Sequence, residues 1–471
     1  MARAKTVKPL ADALGGGIPL LAGQEPEAAD RYVQWLGRAP TPHHAVVAVT
    51  DRLGQAGFQE WDYGARLPVV AGERRYVVHP DGKSVIAVVV GERSPVRAGY
   101  AMVGAHTDSP DLRLRLNPLS QSAGVTQLTT QFHGGLIRRA WLDRPLALAG
   151  AVYQAVRDKQ GRPRLHELTG LPVMLKRLIH VNEPIAVIPD LAIHLDREKN
   201  DKGAINPQTM LNAIVASGDS DTHGVLGLLA QRAGVDFSEL DGFDLHFVSA
   251  QAPQRVGLDR SLVLGARHDD LAMVWCALEG LLASLQGRSN TVRTRVAAFF
   301  DAEETGSQTS SGAASSFLRD VLLRVARQHP DTDSRDDAEQ AFAHSFCISA
   351  DMAHAIHPNF MDMHDKSHAP RINQGPVLKA NASDRYATTG ETGAAFAALC
   401  EVAGVRLQDY VVKQDMACGT TIGPIASAQM AMRVVDVGLP MWAMHSTAET
   451  CGASDLADMV EVMRVFYAGR S

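Results

Sequence analysis

The sequence predicts an α/β fold interrupted by a mostly β module, and three observations lead there. Short apolar runs that stop at polar turn residues, such as Val296 to Phe300 and Phe346 to Asp351, read as buried strands of an α/β sheet. Helical patterns lie between them, the clearest carrying Leu271, Val274, Trp275, Leu278, Leu281, Leu282 and Leu285 at helical spacing. From Asp111 to Arg255 the texture changes to short β-type runs separated by turn signals. A chain of 471 residues is too long for one ordinary core. The expected division is a discontinuous α/β domain, residues 1–110 and 256–471, holding an inserted β-rich domain of residues 111–255.

Each element has a local reason. Thr41-Pro42 pairs a capping residue with proline at the first helical position, and Val46, Val49 and Leu53 share one face of the helix that runs to Ala56. Ser84 to Val90 is a β-branched strand. The apolar run from Tyr100 is another, ending in His106 and Asp108, which face the same way on an extended chain. Inside the insert, β-type runs fall at Leu112–Leu116, Gln127–Phe132, Leu146–Val156, Val173–His180 and Leu191–Leu195. A loop at Gly218–Asp221 and a helix over Val225–Ala233 follow. The α/β pattern resumes at Leu262–Leu264, and the long helix opens on His268-Asp269-Asp270. Carboxylates are favoured at that positive helix end, so capping alone would explain both aspartates. After Val296–Phe300 come Asp301, Glu303 and Glu304, a helix through Phe317 to Arg327, and a solvated acidic loop from Gln328 to Gln340. Met441–Met444 leads into His445, and a last helix from Ser454 buries Leu456, Met459, Val460, Met463 and Tyr467.

Composition narrows the function. A net charge of -6 with pI near 6.3 argues against nucleic acid or an anionic membrane as the main partner. No run approaches the ~20 apolar residues of a membrane span, and no apolar signal core follows Met1. Five scattered cysteines without a C-x-x-C pair suit reduced thiols in a cytoplasm.

The strand ends carry the chemistry. His106, the Glu303-Glu304 pair, Asp351 and His445 each follow an apolar run, and Asp269 opens a helix. Sites in open α/β sheets form beyond the carboxyl ends of the strands, so these residues can converge. Two histidines and three carboxylates suit two zinc-like ions sharing one bridging carboxylate, with one further carboxylate as general base. Adjacent Glu303 and Glu304 would divide those roles; the alternative is an acidic loop capping the next helix. Asp108 is placed to orient His106. His194, in an apolar run, reads in isolation as a core histidine.

Several stretches in this order resemble the aspartyl aminopeptidases, a family of dinuclear zinc exopeptidases. They are G-A-H-T-D-S-P at Gly104–Pro110, L-A-I-H-L at Leu191–Leu195 and F-D-A-E-E-T-G-S at Phe300–Ser307, then S-A-D-M-A-H-A-I-H-P-N at Ser349–Asn359, D-M-A-C-G-T-T-I-G-P-I at Asp415–Ile425 and M-H-S-T-A-E at Met444–Glu449. The resemblance implies a zinc exopeptidase-like mixed central sheet flanked by helices, and an insert that serves dimerisation. It implies removal of N-terminal acidic residues from peptides with a free N-terminus, and assembly as a tetrahedral homododecamer. One zinc would be held by His106 and Asp351, the other by Glu304 and His445, with Asp269 bridging; cobalt or manganese could substitute. Asp108 would orient His106, and Glu303 would take the proton from the attacking water. His194 would enter the partner's active site and donate to the oxyanion. Lys379 would lie in the pocket for the acidic side chain. Three places depart from the family pattern: His268-Asp269-Asp270 stands for Leu-Asp-Asn, His133-Gly134-Gly135-Leu136-Ile137 for Gly-Gly-Gly-x-Trp, and Ala448 near a usual arginine. The last two touch the insert and the pocket rim, which keeps open a broader aminopeptidase, a related deacylase or carboxypeptidase, and a non-catalytic assembly protein.

Overall fold

The computed structural model describes residues 27–469 except 68, 219–229, 232, 233, 235, 237–239 and 287–291. Its centre is a nine-stranded mixed sheet. In spatial order the strands are Gln59–Glu60, Arg74–Val78, Val85–Val89, Thr294–Phe300, Tyr100–His106, Phe346–Ala350, Arg433–Gly438, Val377–Lys379 and Gln408–Tyr410. The four strands from Thr294–Phe300 to Arg433–Gly438 run parallel, so their carboxyl ends reach the same edge. Antiparallel strands flank them on both sides.

Period-two alternation builds a layer on each face. Ala101, Val103, Ala105, Ala297 and Phe299 join one core with the helices His268–Ala283 and Ala453–Ala468. Tyr100, Met102, Val296, Ala298 and Phe300 join the other with the helix Phe317–Gln328. The helix His268–Ala283 is apolar nearly all round because it is buried all round, with Leu271, Val274 and Leu278 fully covered. The helix Pro42–Gln55 starts at the proline as expected, but the Thr41 hydroxyl bonds His44 Nδ1 at 2.8 Å instead of capping a helix N–H.

Between Asp111 and Ser249 lies a separate six-stranded antiparallel sheet, in the order Met174–Ala186, Leu146–Ala155, Gly242–Ser249, Asp111–Ser122, Val125–His133 and Ala213–Ser217. Its core is its own, built from Leu112, Leu128, Leu148, Val152, Ile179, Leu245 and Phe247. One expected strand is absent: Leu191–Leu195 forms turns, closed by Leu195 N–H donating to the Ala192 carbonyl. Lys199 donates to the Leu191 carbonyl at 2.7 Å and pairs with Asp190, holding the backbone out of any ladder. Leu191, Ile193 and Leu195 are left exposed. Most of the helix expected over Val225–Ala233, and most of the loop before it, lie outside the described residues; Ala230 and Gln231, which are described, are helical.

A third, five-stranded sheet joins Gln254–Val256, Leu262–Gly265, Glu449–Gly452, Pro440–Trp442 and Ala353–His354. It sets Gly265 opposite Glu449, bringing the segments that carry Asp269 and His445 together across the chain.

Candidate metal centre

The parallel register delivers the first ligands. Phe300 pairs with His106, so the turn after Phe300 opens beside the histidine, and Asp351 follows the next parallel strand. Three sharp turns do the aiming. Arg267, Ala302 and His445 all have positive φ, at 67°, 63° and 69°, an uncommon conformation for residues with a Cβ. Such backbone clusters where surrounding structure over-determines it, as at binding sites.

Three donor groups overlap here among the described residues, two of them through Asp269. His106, Asp269, Asp270 and Asp351 can each place a ligand atom within 4.8 Å of the others, and so can Asp269, Glu304 and His445. Asp269 belongs to both. His106 Nε2 lies 3.4 Å from Asp269 Oδ1 and 3.8 Å from Asp351 Oδ1, while His445 Nε2 lies 3.2 Å from both Asp269 Oδ2 and Glu304 Oε1. Glu303 sits within the same reach of His106 and Glu304. Asp270 is set apart: its Oδ2 accepts the His106 backbone N–H at 3.0 Å. His106, Asp269, Glu303, Glu304, Asp351 and His445 wall a cavity of about 470 Å³ that Lys379, Tyr386, Tyr410, Met416 and Cys418 also line.

The residues fit a cation. His106 Nδ1 faces the Asp108 carbonyl and His445 Nδ1 faces the Gly135 carbonyl, both at 3.0 Å. A carbonyl only accepts, so each ring carries a proton on Nδ1 and turns Nε2 inward. Both Nε2 atoms face carboxylate oxygens, an arrangement that calls for positive charge, on the rings or as a cation between them. Asp269 Oδ1, Asp270 Oδ1 and Glu304 Oε1 are buried without a hydrogen bond, and a cation held among them would satisfy that need. Electrostatics agree. Burial raises the Glu303 carboxyl to about 8, helped by Asp351, Glu304 and Asp269. Burial lowers the His445 imidazole, yet Asp269 and Glu304 outweigh it and pull the group up to about 11. Burial would also raise Asp269, but His106 and His445 hold it far below the usual carboxylate range. Crowded carboxylates and inward imidazoles are both relieved by bound cations.

Lys379 is 2% exposed, pairs with Asp351 Oδ2 at 3.2 Å, donates to the Met352 carbonyl at 3.0 Å and stands over the Tyr386 ring. Asp108 lies against His106 and against the Glu303-Glu304 turn as well. The carbonyl, not the carboxylate, is its closer contact to His106; the carboxylate, 3.5 Å from that ring, accepts the Glu303 and Glu304 N–H groups at 3.0 and 3.2 Å. His194 is exposed in its turn and does not line the cavity of its own chain.

Sequence reasoning missed Glu449 and His133. Buried Glu449 accepts the backbone N–H of His445 at 2.6 Å and of Asp269 at 3.2 Å, tying two ligand loops together. His133 Nε2 lies 2.9 Å from Asp108 Oδ2. Both contacts span distant parts of the chain, and the only signal was that each residue lies in a stretch already singled out.

A sheet whose parallel strand ends converge on histidines, carboxylates and one spare glutamate defines a metal-dependent hydrolase. Residues 35–467 match the family model described as aminopeptidase I zinc metalloprotease (M18), and the chain belongs to that family. It is 39% identical over 441 residues to a probable M18 family aminopeptidase 2 of Azotobacter vinelandii, covering 93% of this chain and 97% of the relative. A namesake from Ectopseudomonas mendocina is also 39% identical, over 94% of this chain and 98% of its own. Among solved structures, a chain from a structure titled as the Ape4 and Nbr1 complex superposes with TM-score 0.86 at 31% identity, over 94% of this chain and 85% of that one. An M18 aminopeptidase from Thermotoga maritima gives 0.79 at 25% identity, over 93% and 95%. The chain is a zinc aminopeptidase.

Proposed function

We propose that this aminopeptidase removes N-terminal acidic residues from peptides with a co-catalytic pair of zinc ions. The observation that carries the reading is the sharing of Asp269 between two donor groups. His106 and Asp351 would hold one ion, Glu304 and His445 the other, with Asp269 common to both. The ions supply positive charge that polarises the scissile carbonyl and eases ionisation of water. Glu303 is the general base: it takes the proton of the attacking water and passes it to the leaving amine. Asp108 keeps Glu303 in place through the backbone. Lys379 on the cavity wall supports acidic preference, since a buried ammonium favours a carboxylate in its pocket.

The reading extends to the assembly. Residues 1–110 and 256–471 form the catalytic domain and 111–255 the insert, whose exposed Leu191, Ile193 and Leu195 suit burial against a second copy. That placement would carry His194 into the partner's active site to donate to the oxyanion. One structure of the same fold, at 23% identity and TM-score 0.77, is titled as a Saccharomyces cerevisiae mApe1 dodecamer, and a tetrahedral dodecamer is the expected state here. The unpaired cysteines suit a cytoplasmic setting, and no helix among the described residues is long and apolar enough to cross a membrane.

Purified protein is tested on chromogenic substrates with N-terminal Asp, Glu, Leu and His, with and without chelator. Expected are preference for Asp and Glu, loss of activity with chelator, and no cleavage of an N-acetylated peptide. Chelator-resistant turnover overturns the metal mechanism; equal rates on Leu and Asp overturn the acidic preference.

A further inference from the structure

The insert reaches into the metal centre through one short strap, residues 133–137. His133 ends the strand Val125–His133 and places Nε2 2.9 Å from Asp108 Oδ2. Gly134, at φ 67°, lies so close that a Cβ there would meet the Glu304 Cβ at 3.0 Å. The Gly135 carbonyl accepts from His445 Nδ1, and Ile137 N–H donates to the His445 carbonyl, each at 3.0 Å. The strap therefore touches Asp108, Glu304 and His445 while belonging to a different sheet.

We infer that His133 is a positioning residue for hydrolysis, acting through Asp108 to fix the direction of Glu303 and Glu304. The chain of contacts is complete. Asp108 is 0% exposed, and its carboxylate accepts from Glu303 N, Glu304 N and His133 Nε2. A carboxylate buried to that degree keeps one orientation only while donors surround it. The turn it holds, Glu303–Thr305, is three residues long and follows Ala302 in the left-handed region, so it has little rigidity of its own. Without the His133 bond, Asp108 keeps one backbone donor on each oxygen, Glu303 N at 3.0 Å and Glu304 N at 3.2 Å, but loses the side-chain donor that completes its shell on Oδ2. The carboxylate is then held less firmly, and the turn that carries the base loosens with it. Substrate binding against the Lys379 wall does not pass through this path. The inference rests on Glu303 as general base.

The test uses the full-length zinc enzyme with His133→Leu, His133→Gln, His133→Asn and Glu303→Gln. Glutamine carries an amide nitrogen to the place of Nε2, whereas leucine fills the volume without a donor. Expected is a fall in kcat of about ten-fold in His133→Leu, the scale of one lost charge-assisted hydrogen bond. KM should hold, zinc content per chain should stay at the wild-type value, and His133→Gln should recover most of the rate. If His133→Leu does not fold, His133→Asn, polar but too short to reach Asp108, takes its place against His133→Gln. Unchanged kcat in the donor-free variant, or an equal fall in His133→Gln, overturns the positioning role. If Glu303→Gln keeps wild-type turnover, the base assignment falls and this inference with it. If Glu303→Gln is inactive while His133→Leu is not impaired, the positioning role alone falls.

Discussion

Gly438 offers a direct way to move one ligand without altering its chemistry. It ends the strand beside Phe346–Ala350, and a Cβ built on it lies 2.2 Å from the Asp351 carbonyl oxygen and 3.0 Å from the Met352 carbonyl carbon. Ordinary contact begins at 3.4 Å, so Gly438→Ala requires a displacement of 3.4 − 2.2 = 1.2 Å. The neighbouring backbone cannot slip to absorb it, because Asp351 N–H donates to Val437 and Ala353 N–H to Leu439 on either side. The shift therefore passes to Asp351, whose carboxylate faces His106 and Lys379. A misplacement of about 1 Å in a catalytic constellation costs about 100-fold in rate, and overpacking of this kind costs about 1–3 kcal/mol in stability. The assay is kcat/KM on an N-terminal Asp substrate, with zinc content and a thermal melt on the same preparation. Wild-type kcat/KM together with a wild-type melt would refute the claim that this strand end fixes the ligand.

Other predictions follow from single contacts. Glu449→Gln keeps one acceptor but sets an NH₂ against a backbone donor, so zinc affinity should fall about 10–100-fold in a chelator competition, with little change in the melt of the metal-free chain. Lys379→Met should lower kcat/KM for Asp and Glu substrates by about 100-fold and narrow their advantage over Leu, since an unpaired substrate carboxylate would face an apolar wall. Outside the metal centre, His246 is bonded to Asp111 and Asp244; burial lowers its imidazole, but these carboxylates outweigh burial and raise it from 6.5 to about 9. Folded His246 thus keeps a proton that the unfolded chain releases. The stabilisation is complete below pH 6.5 and is lost as pH rises through about 9. The whole effect is of order 3 kcal/mol. Melting temperatures from pH 6.5 to 9 should fall, and His246→Gln should flatten the slope.

Much of this molecule was legible from local pattern. The apolar runs ending at His106, Phe300 and Ala350 read correctly as strands because all are buried on both faces, which leaves no polar interruption to confuse the period. Their ligands could be listed, but their convergence depends on three strands running parallel, and no residue in them states that direction. Asp269 and Asp270 illustrate the limit. Both sit at a helix start, where capping explains either, and only the pairing of Leu262–Gly265 with Glu449–Gly452 turns one toward His445 and leaves the other under His106. Leu191–Leu195 failed for the opposite reason. An apolar run alone cannot say whether a neighbouring edge is available, and Lys199 supplies a competing partner for its backbone.

The pairing of Gly265 with Glu449 has a consequence for how the enzyme is born. Domains generally fold from the N-terminus as synthesis proceeds. His106, Asp269, Glu304 and Asp351 all precede His445, and the donor group of Asp269, Glu304 and His445 closes only when the strand Glu449–Gly452 joins the ladder and draws in His445. The metal centre thus depends on a pairing between distant segments of the chain, so damage to the Glu449–Gly452 strand would reach the ligands without touching any of them.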